Sequence, residues 1–334
     1  MKVTLKEIST RAGVSISTVS RVLKNDPRIS ESTKEKVLRV AKKLGHPIEP
    51  GSISSNRVIM FFVSNPHRSI ESDEFFSGVQ RGILQTSSGE GLHCLVQSMR
   101  SRSAFDESLI PVDLVEGLIV GGIPMPESMI HFLMSLKIPT VLIGKYCGLE
   151  SFPSVNNDNV RGGYLASYEL LKNKYEKITV ITGPMEVSTF ADRLEGFFKG
   201  LKENNYPEEN VRIIECNSFE ERDGKKFVER EYIRSERREA IFCTTDWLAK
   251  GVMEAFFEQG VAIPGQVGVI GFGGLDFTRR IRPRLTTIAL NPYLLGKIAT
   301  VMLSELLEGN DEARGVVFVE PYLLKGETLK GGWK

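Results

Sequence analysis

Residues 4–44, TLKEISTRAGVSISTVSRVLKNDPRISESTKEKVLRVAKKL, constrain this chain more than any other stretch. Thr4 and Glu7 form a capping box, so a helix is expected to start near Leu5. Its apolar set is Leu5, Ile8 and Ala12, at helical spacing. Gly13 then supplies the left-handed conformation that ends a helix. Ser15 is placed to cap a second helix from Ile16 to about Leu23. Val19, Val22 and Leu23 would point inward there, leaving Ile16, Ser17, Thr18, Ser20 and Arg21 outside or at the leading end. Pro27 and Ser30 open a third helix with Val37, Leu38, Ala41 and Leu44 as its buried stripe. Two helices joined by a short Gly-containing turn make a helix-turn-helix.

Charge agrees with that reading. Residues 1–50 carry 11 Lys+Arg against 5 Asp+Glu, and the other residues carry 32 against 37. A basic head on a mildly acidic body points to nucleic acid as the head's partner. The 334 residues suit a small head plus a large body. The polar, capped start is unlike a signal peptide, and no apolar run approaches the ~18 residues of a membrane span. Cys94, Cys147, Cys216 and Cys243 stand in apolar stretches without CxxC pairing, which predicts buried, reduced thiols in a cytoplasmic protein. His46, His67, His93 and His131 have no metal-ligand spacing. No metal site or cofactor is expected.

Past the head, short apolar runs recur at 58–63, 92–96, 117–120, 140–143, 178–181, 240–243 and 267–272. Helical patterns lie between them, at 162–171, 194–203 and 248–259 among others. This alternation predicts an α/β body with parallel, doubly wound sheets, and a dozen such elements are enough for two lobes. Ligands in such sheets bind beyond the carboxyl ends of the strands. The residues just after each strand are therefore the candidates, Lys145 among them. No P-loop, GxGxxG, GxSxG or metal cluster supports an enzyme.

The head resembles the DNA-binding headpiece of the LacI/GalR family of bacterial transcription regulators. The resemblance is carried by Thr4, Leu5, Ala12, Gly13, Val14, Ser15, Thr18, Val19, Ser20, Arg21, Val22, Lys36 and Val37, and it continues to the C-terminus. It implies a headpiece (1–46), a linker (47–57) and an effector-binding and dimerisation body (58–334) of two periplasmic-binding-protein-like lobes. The lobes would comprise about 58–157 with 290–317, and about 158–289 with 318–334. The chain would cross between them near 156–160, 287–291 and 316–320. On DNA, Ile16, Ser17 and Arg21 would face bases, with Arg21 suited to the O6 and N7 of a guanine. Ser15, Thr18, Ser20, Lys24, Arg28, Ser30 and Thr33 would bond phosphates. One head buries too little surface for specificity, so a homodimer on a near-palindromic operator is expected.

For the cleft, Arg193 matches the family's R-x-x-G-F, whose arginine clamps the effector; the alternative is a surface arginine paired with Asp192 or Glu195. Thr245 and Asp246 match the strand-end pair, with Asp246 also a possible helix cap. Phe219 is placed to stack on a ligand or to fill the core. Phe75 and Phe76 match the N-P-F-F position, and Asp158 with Asn159 the D-N-x-x-G-G, chiefly as a cap. Three departures stand out. The family's G-F/Y-D-D is here Gly271-Phe272-Gly273-Gly274, with Asp276 a possible substitute for the missing aspartate. The glutamine after T-T-I/V is Leu290, followed by Asn291. The segment after the third helix lacks the usual Leu lever that wedges the minor groove; its prolines, glycines and serines suit a flexible linker, with Ile53 the one candidate wedge. Together these imply a repressor whose operator affinity responds to a small molecule. A sugar is expected, with a galactoside as the first guess from the hinge-poor head. A nucleobase or phosphorylated corepressor is the alternative, and a plain sugar-binding protein or an enzyme the different-class one.

Overall fold

The computed structural model describes residues 3–24, 26, 28–46, 57–65, 69–99, 105–123, 125–232 and 238–330. Pro27, most of the expected linker and Ile53 lie outside the described residues. The described residues divide into two compact units, a head up to Arg57, to which residues 88–93 are also assigned, and a body made of the rest.

The head is three helices, α1 (Leu5–Ala12), α2 (Ile16–Leu23) and α3 (Glu31–Lys43). Thr4 and Glu7 form the reciprocal capping box, and Gly13 ends α1 at φ +63°. Ile8, Ala12, Val19, Val22, Val37, Leu38 and Ala41 close its core, while Leu44 is half-buried.

In the body, β1 (Arg57–Ser64), α4 (Glu74–Glu90), β2 (Leu92–Met99), β3 (Gly117–Gly122), α5 (Glu127–Ser135), β4 (Thr140–Ile143) and β5 (Ser154–Asn157) build a first sheet and its covering helices. The chain then makes α6 (Asn159–Lys172), β6 (Lys177–Thr182), α7 (Ser188–Glu203), β7 (Val211–Glu215), α8 (Glu221–Arg230), β8 (Glu239–Cys243), α9 (Asp246–Glu258), β9 (Val267–Gly273) and β10 (Thr286–Ala289). It returns through α10 (Pro292–Leu307), which packs on β3, β4 and β5, to β11 (Val316–Val319). It leaves again for β12 (Tyr322–Leu324).

Two six-stranded sheets result, in the orders β2-β1-β3-β4-β5-β11 and β7-β6-β8-β9-β10-β12. β12 runs antiparallel to β10, while the second sheet's other pairs are parallel. β3, β4 and β8 are buried along their whole length. Parallel strands covered on both faces need apolar side chains on both, which is why they read as unbroken apolar runs. The passages between sheets follow Asn157, Ala289 and Val319. Phe318 and Val319 therefore belong to the first sheet, against the boundary expected at 317, because β11 pairs with β5 as far as Val319 opposite Asn157.

The cysteine expectation is corrected. Cys243 is buried, Cys94 and Cys216 are half-buried, and Cys147 is exposed in the turn after β4. A turn beyond a strand end has no second layer to cover it.

Candidate functional site

On the head, α2 presents the polar face. Ser15 caps it, its Oγ accepting the Thr18 N–H at 3.1 Å and sharing hydrogen bonds with Ser17 Oγ (2.7 Å) and Thr18 Oγ1 (2.8 Å). Ile16 is 47% exposed. Ser17, Arg21 and Lys24 are exposed, while Thr18 and Ser20 are half-buried. Ser30, just before α3, hydrogen-bonds Thr33 Oγ1 at 2.8 Å. Arg28 is differently placed, because its Nε and a terminal nitrogen donate to the two Asp26 carboxylate oxygens at 2.9 and 2.7 Å. Those bonds hold the Asp26 carboxyl well below the usual range.

In the body, the carboxyl ends of both sheets surround a cleft of about 420 Å³. Phe75, Phe76, Lys145, Arg193, Phe219, Thr245 and Asp246 all line it. Asp73 starts α4 by accepting the Phe75 and Phe76 N–H groups, each at 3.0 Å, and is held by Asn65 Nδ2 at 2.8 Å. This sets the two rings edge-to-face, 5.2 Å apart. Phe219 lies against Phe190 at 5.6 Å. Lys145 reaches across the cleft, its Nζ 3.3 Å from Asp192 and its carbonyl accepting from Ser188 Oγ at 2.8 Å.

Arg193 is buried, not a surface residue of α7. Its Nε donates to Asn159 Oδ1 at 3.0 Å, a terminal nitrogen donates to the Thr244 carbonyl, and the guanidinium lies 3.8 Å over the Phe272 ring. Burial pulls its pKa down to about 9, against the opposing charges of Asp246 and Asp192.

Asp246 is not the cap of α9. Thr245 is, accepting the Leu248 N–H at 3.1 Å. The Asp246 carboxylate is fully buried and takes hydrogen bonds from Thr287 Oγ1 at 2.6 Å and the Leu275 N–H at 2.9 Å. The glycines at the end of β9 make room for it. A Cβ on Gly271 would collide with Asp246 Oδ1, and one on Gly273, at φ +143°, would lie 2.9 Å from Oδ2. Gly271 and Gly273 thus leave the Asp246 carboxylate its space at the end of β9.

Two expected residues fall outside the lining set. Asn291 caps α10, its Oδ1 accepting the Leu294 N–H at 3.1 Å, because the chain turns there toward the first sheet. Asp276 begins a short 3-10 turn, and its backbone N–H donates to Glu74 of the other lobe. Conversely, Asn65, Asp73, Asn156, Asn157, Asp192, Trp247 and Phe318 line the cleft and were not singled out from the sequence. Asn65 directly follows β1, and Asn156, Asn157 and Phe318 lie within the last two residues of β5 and β11, where the strand-end rule could have found them.

Residues 4–47 match the family model for bacterial regulatory proteins of the lacI family, and residues 168–329 match a periplasmic binding protein-like domain. The chain thus joins a lacI-family regulatory head to a periplasmic binding protein-like body. Similar relatives include the HTH-type transcriptional repressor CytR of Escherichia coli K12, 26% identical over 97% of this chain and 96% of that one. The repressor PurR of Photorhabdus laumondii is 27% identical over 98% and 97%. Among solved structures, the lac repressor dimer bound to operator and an anti-inducer shares the fold at a TM-score of 0.70, with 22% identity over 98% of this chain and 99% of that one. A ribose-bound LacI-family regulator from Enterococcus faecium does so at 0.71, with 22% identity over 81% and 98%. These homologues are transcription regulators rather than enzymes. Among the described residues, no helix is long and apolar enough to cross a membrane.

Burial of Asp246 has a measurable consequence in the body. It pushes the carboxyl pKa from 3.8 up to about 6, against the Thr287, Leu275 and Gly274 hydrogen bonds and the Arg193 charge. An acid whose folded pKa is raised stabilises the fold fully below its unfolded value and loses that contribution as pH rises through the folded one. At 1.36 kcal/mol per unit the change is about 3 kcal/mol. The stability of the wild type relative to Asp246→Asn is therefore expected to fall by most of that amount from pH 4 to pH 7, read from urea midpoints. A difference that is flat with pH would mean the carboxyl titrates normally.

Proposed function

We propose that this chain is a ligand-responsive transcriptional repressor that binds a near-palindromic operator as a homodimer, with a small sugar in the body cleft setting operator affinity. The observation that carries it is the joining, in one chain, of a capped helix-turn-helix with an exposed polar face to a body whose two sheets converge on one cleft. A ligand changes operator affinity only by binding two states of the body differently. Ribose in one relative's structure and cellobiose in another favour a sugar, and galactosides belong in the test panel. Function as a DNA-bound regulator places the chain in the cytoplasm.

On the head, Ile16, Ser17 and Arg21 are assigned to bases, and Ser15, Thr18, Ser20, Lys24, Ser30 and Thr33 to phosphates. Arg28 would have to exchange Asp26 for a phosphate to join them. In the cleft the proposed ligand residues are Phe75, Phe76, Lys145, Arg193, Phe219 and Thr245, with Asp246 supporting the wall.

Gel shift of the full chain on its own upstream region, with and without a sugar panel, tests the proposal. A shifted band that a sugar weakens or strengthens is expected. No shift under any condition would sink the regulator reading. Arg21→Ala is expected to cost ~1–3 kcal/mol on the preferred half-site and to relax preference at one base pair. An equal loss on every sequence would show that Arg21 touches only backbone.

A further inference from the structure

We propose that Asn156 and Asn157, at the end of β5, form a hydrogen-bond-accepting subsite for the hydroxyl groups of an uncharged ligand, and that the cleft refuses phosphorylated and carboxylated ones. This rests on the cleft being the ligand site of the repressor proposed above.

The first observation is an unmet hydrogen-bonding need. Both asparagines line the cleft, and both have a buried side-chain oxygen with no partner among the described residues. Asn156 is only 6% exposed, and its Nδ2 is tied to Ser154 Oγ at 3.0 Å, so the amide is held in place. A buried acceptor left unpaired is costly, and a ligand hydroxyl supplies the donor it lacks.

The second observation is charge. Asp73, Glu186, Asp192, Glu220 and Asp246 line the cleft against two cations, Lys145 and Arg193. Each of those cations is already held. Lys145 faces Asp192, and Arg193 spends its Nε and one terminal nitrogen on Asn159 and the Thr244 carbonyl while lying flat on Phe272. A phosphate or carboxylate would enter a net-negative, partly desolvated space without an uncommitted cation to meet it, and would lose its hydration for little return. An uncharged polyol meets acceptors for its hydroxyls, and its ring meets Phe75, Phe76, Phe219 and Trp247.

The test uses the purified full chain and calorimetry with matched pairs: D-ribose against ribose 5-phosphate and D-galactose against galacturonate, with cellobiose added. At least one uncharged sugar is expected to bind, about tenfold or more tighter than its charged partner. Asn157→Ala should weaken that sugar about tenfold, as loss of one hydrogen bond to a ligand does. Asn157→Asp, which keeps an acceptor, should retain the neutral sugar. Binding of a charged member as tightly as its neutral partner overturns the inference, as does an Asn157→Ala protein that binds like the wild type, or no uncharged sugar bound at all. Operator gel shift on the same preparations separates the two readings. Intact operator binding with a charged ligand preferred removes the subsite and leaves the repressor standing. No operator binding removes the repressor reading, while the calorimetry still decides the charge preference.

Discussion

Replacing Gly196 with Ala is expected to destabilise the body by about 3 kcal/mol, at the upper end of overpacking costs. α6 and α7 cross with their backbones touching. A Cβ on Gly196 would collide with the Val160 carbonyl oxygen, and one on Gly163 with the Arg193 carbonyl oxygen. A carbonyl oxygen inside a helix cannot rotate away, so the helices must part. The core that parts with them includes Ala166, Leu170, Leu194 and Phe197. The same crossing brings Asn159 of α6 to Arg193 of α7, so the substitution should also loosen the cleft floor. The control is Gly89→Ala, an exposed helical position where a Cβ meets nothing within 4 Å. It should be neutral or slightly stabilising, since Ala favours helix over Gly. Urea unfolding of both variants reads the contrast. Equal midpoints would mean that the two helices yield without cost.

Replacing Arg193 with Leu should be comparably severe and should also abolish the ligand response. The substitution leaves Asn159 Oδ1 and the Thr244 carbonyl without their donor and removes a positive charge that offsets buried Asp246. Unsatisfied buried acceptors cost ~1–3 kcal/mol each, and leaving a buried charge uncompensated adds to that. The gain from a buried Leu offsets part, so a net loss of about 3 kcal/mol is expected. Arg193→Lys keeps the charge but not the planar fork, and should recover only part of the loss. Operator binding without ligand should survive in both, because the head carries its own core. An Arg193→Leu protein as stable as the wild type would show that the guanidinium contacts carry no net stability.

Much of the fold was legible because its signals are local. Thr4, Glu7, Gly13 and Ser15 act within three to five residues of their partners, so the bounds of α1 and α2 follow from their spacing. The apolar runs at β3, β4 and β8 stood out because both faces of those strands are buried. Edge strand β7 has no fully buried residue and is a weaker signal. The strand-end rule, joined to the family resemblance that picked out Phe75, Phe76 and Arg193, brought seven of the nine expected cleft residues to one cavity. It misjudged Asn291, which looks like a strand-end ligand but becomes a cap where the chain changes sheet. It passed over Asn156 and Asn157, whose strand is only four residues long and carries two polar side chains.

The amino-acid sequence by itself determined the three-helix head and the α/β alternation, because caps, turns and apolar periodicity act between neighbours in the chain. Only the tertiary structure decided what Asp246 and Arg193 do. The partners of Asp246 include Leu275 and Thr287, and those of Arg193 include Asn159 and Thr244, residues 29 to 51 positions away along the chain. Burial at the meeting of distant strand ends, and no feature of either residue's neighbourhood in sequence, turned one into the support of the cleft wall and the other into its floor.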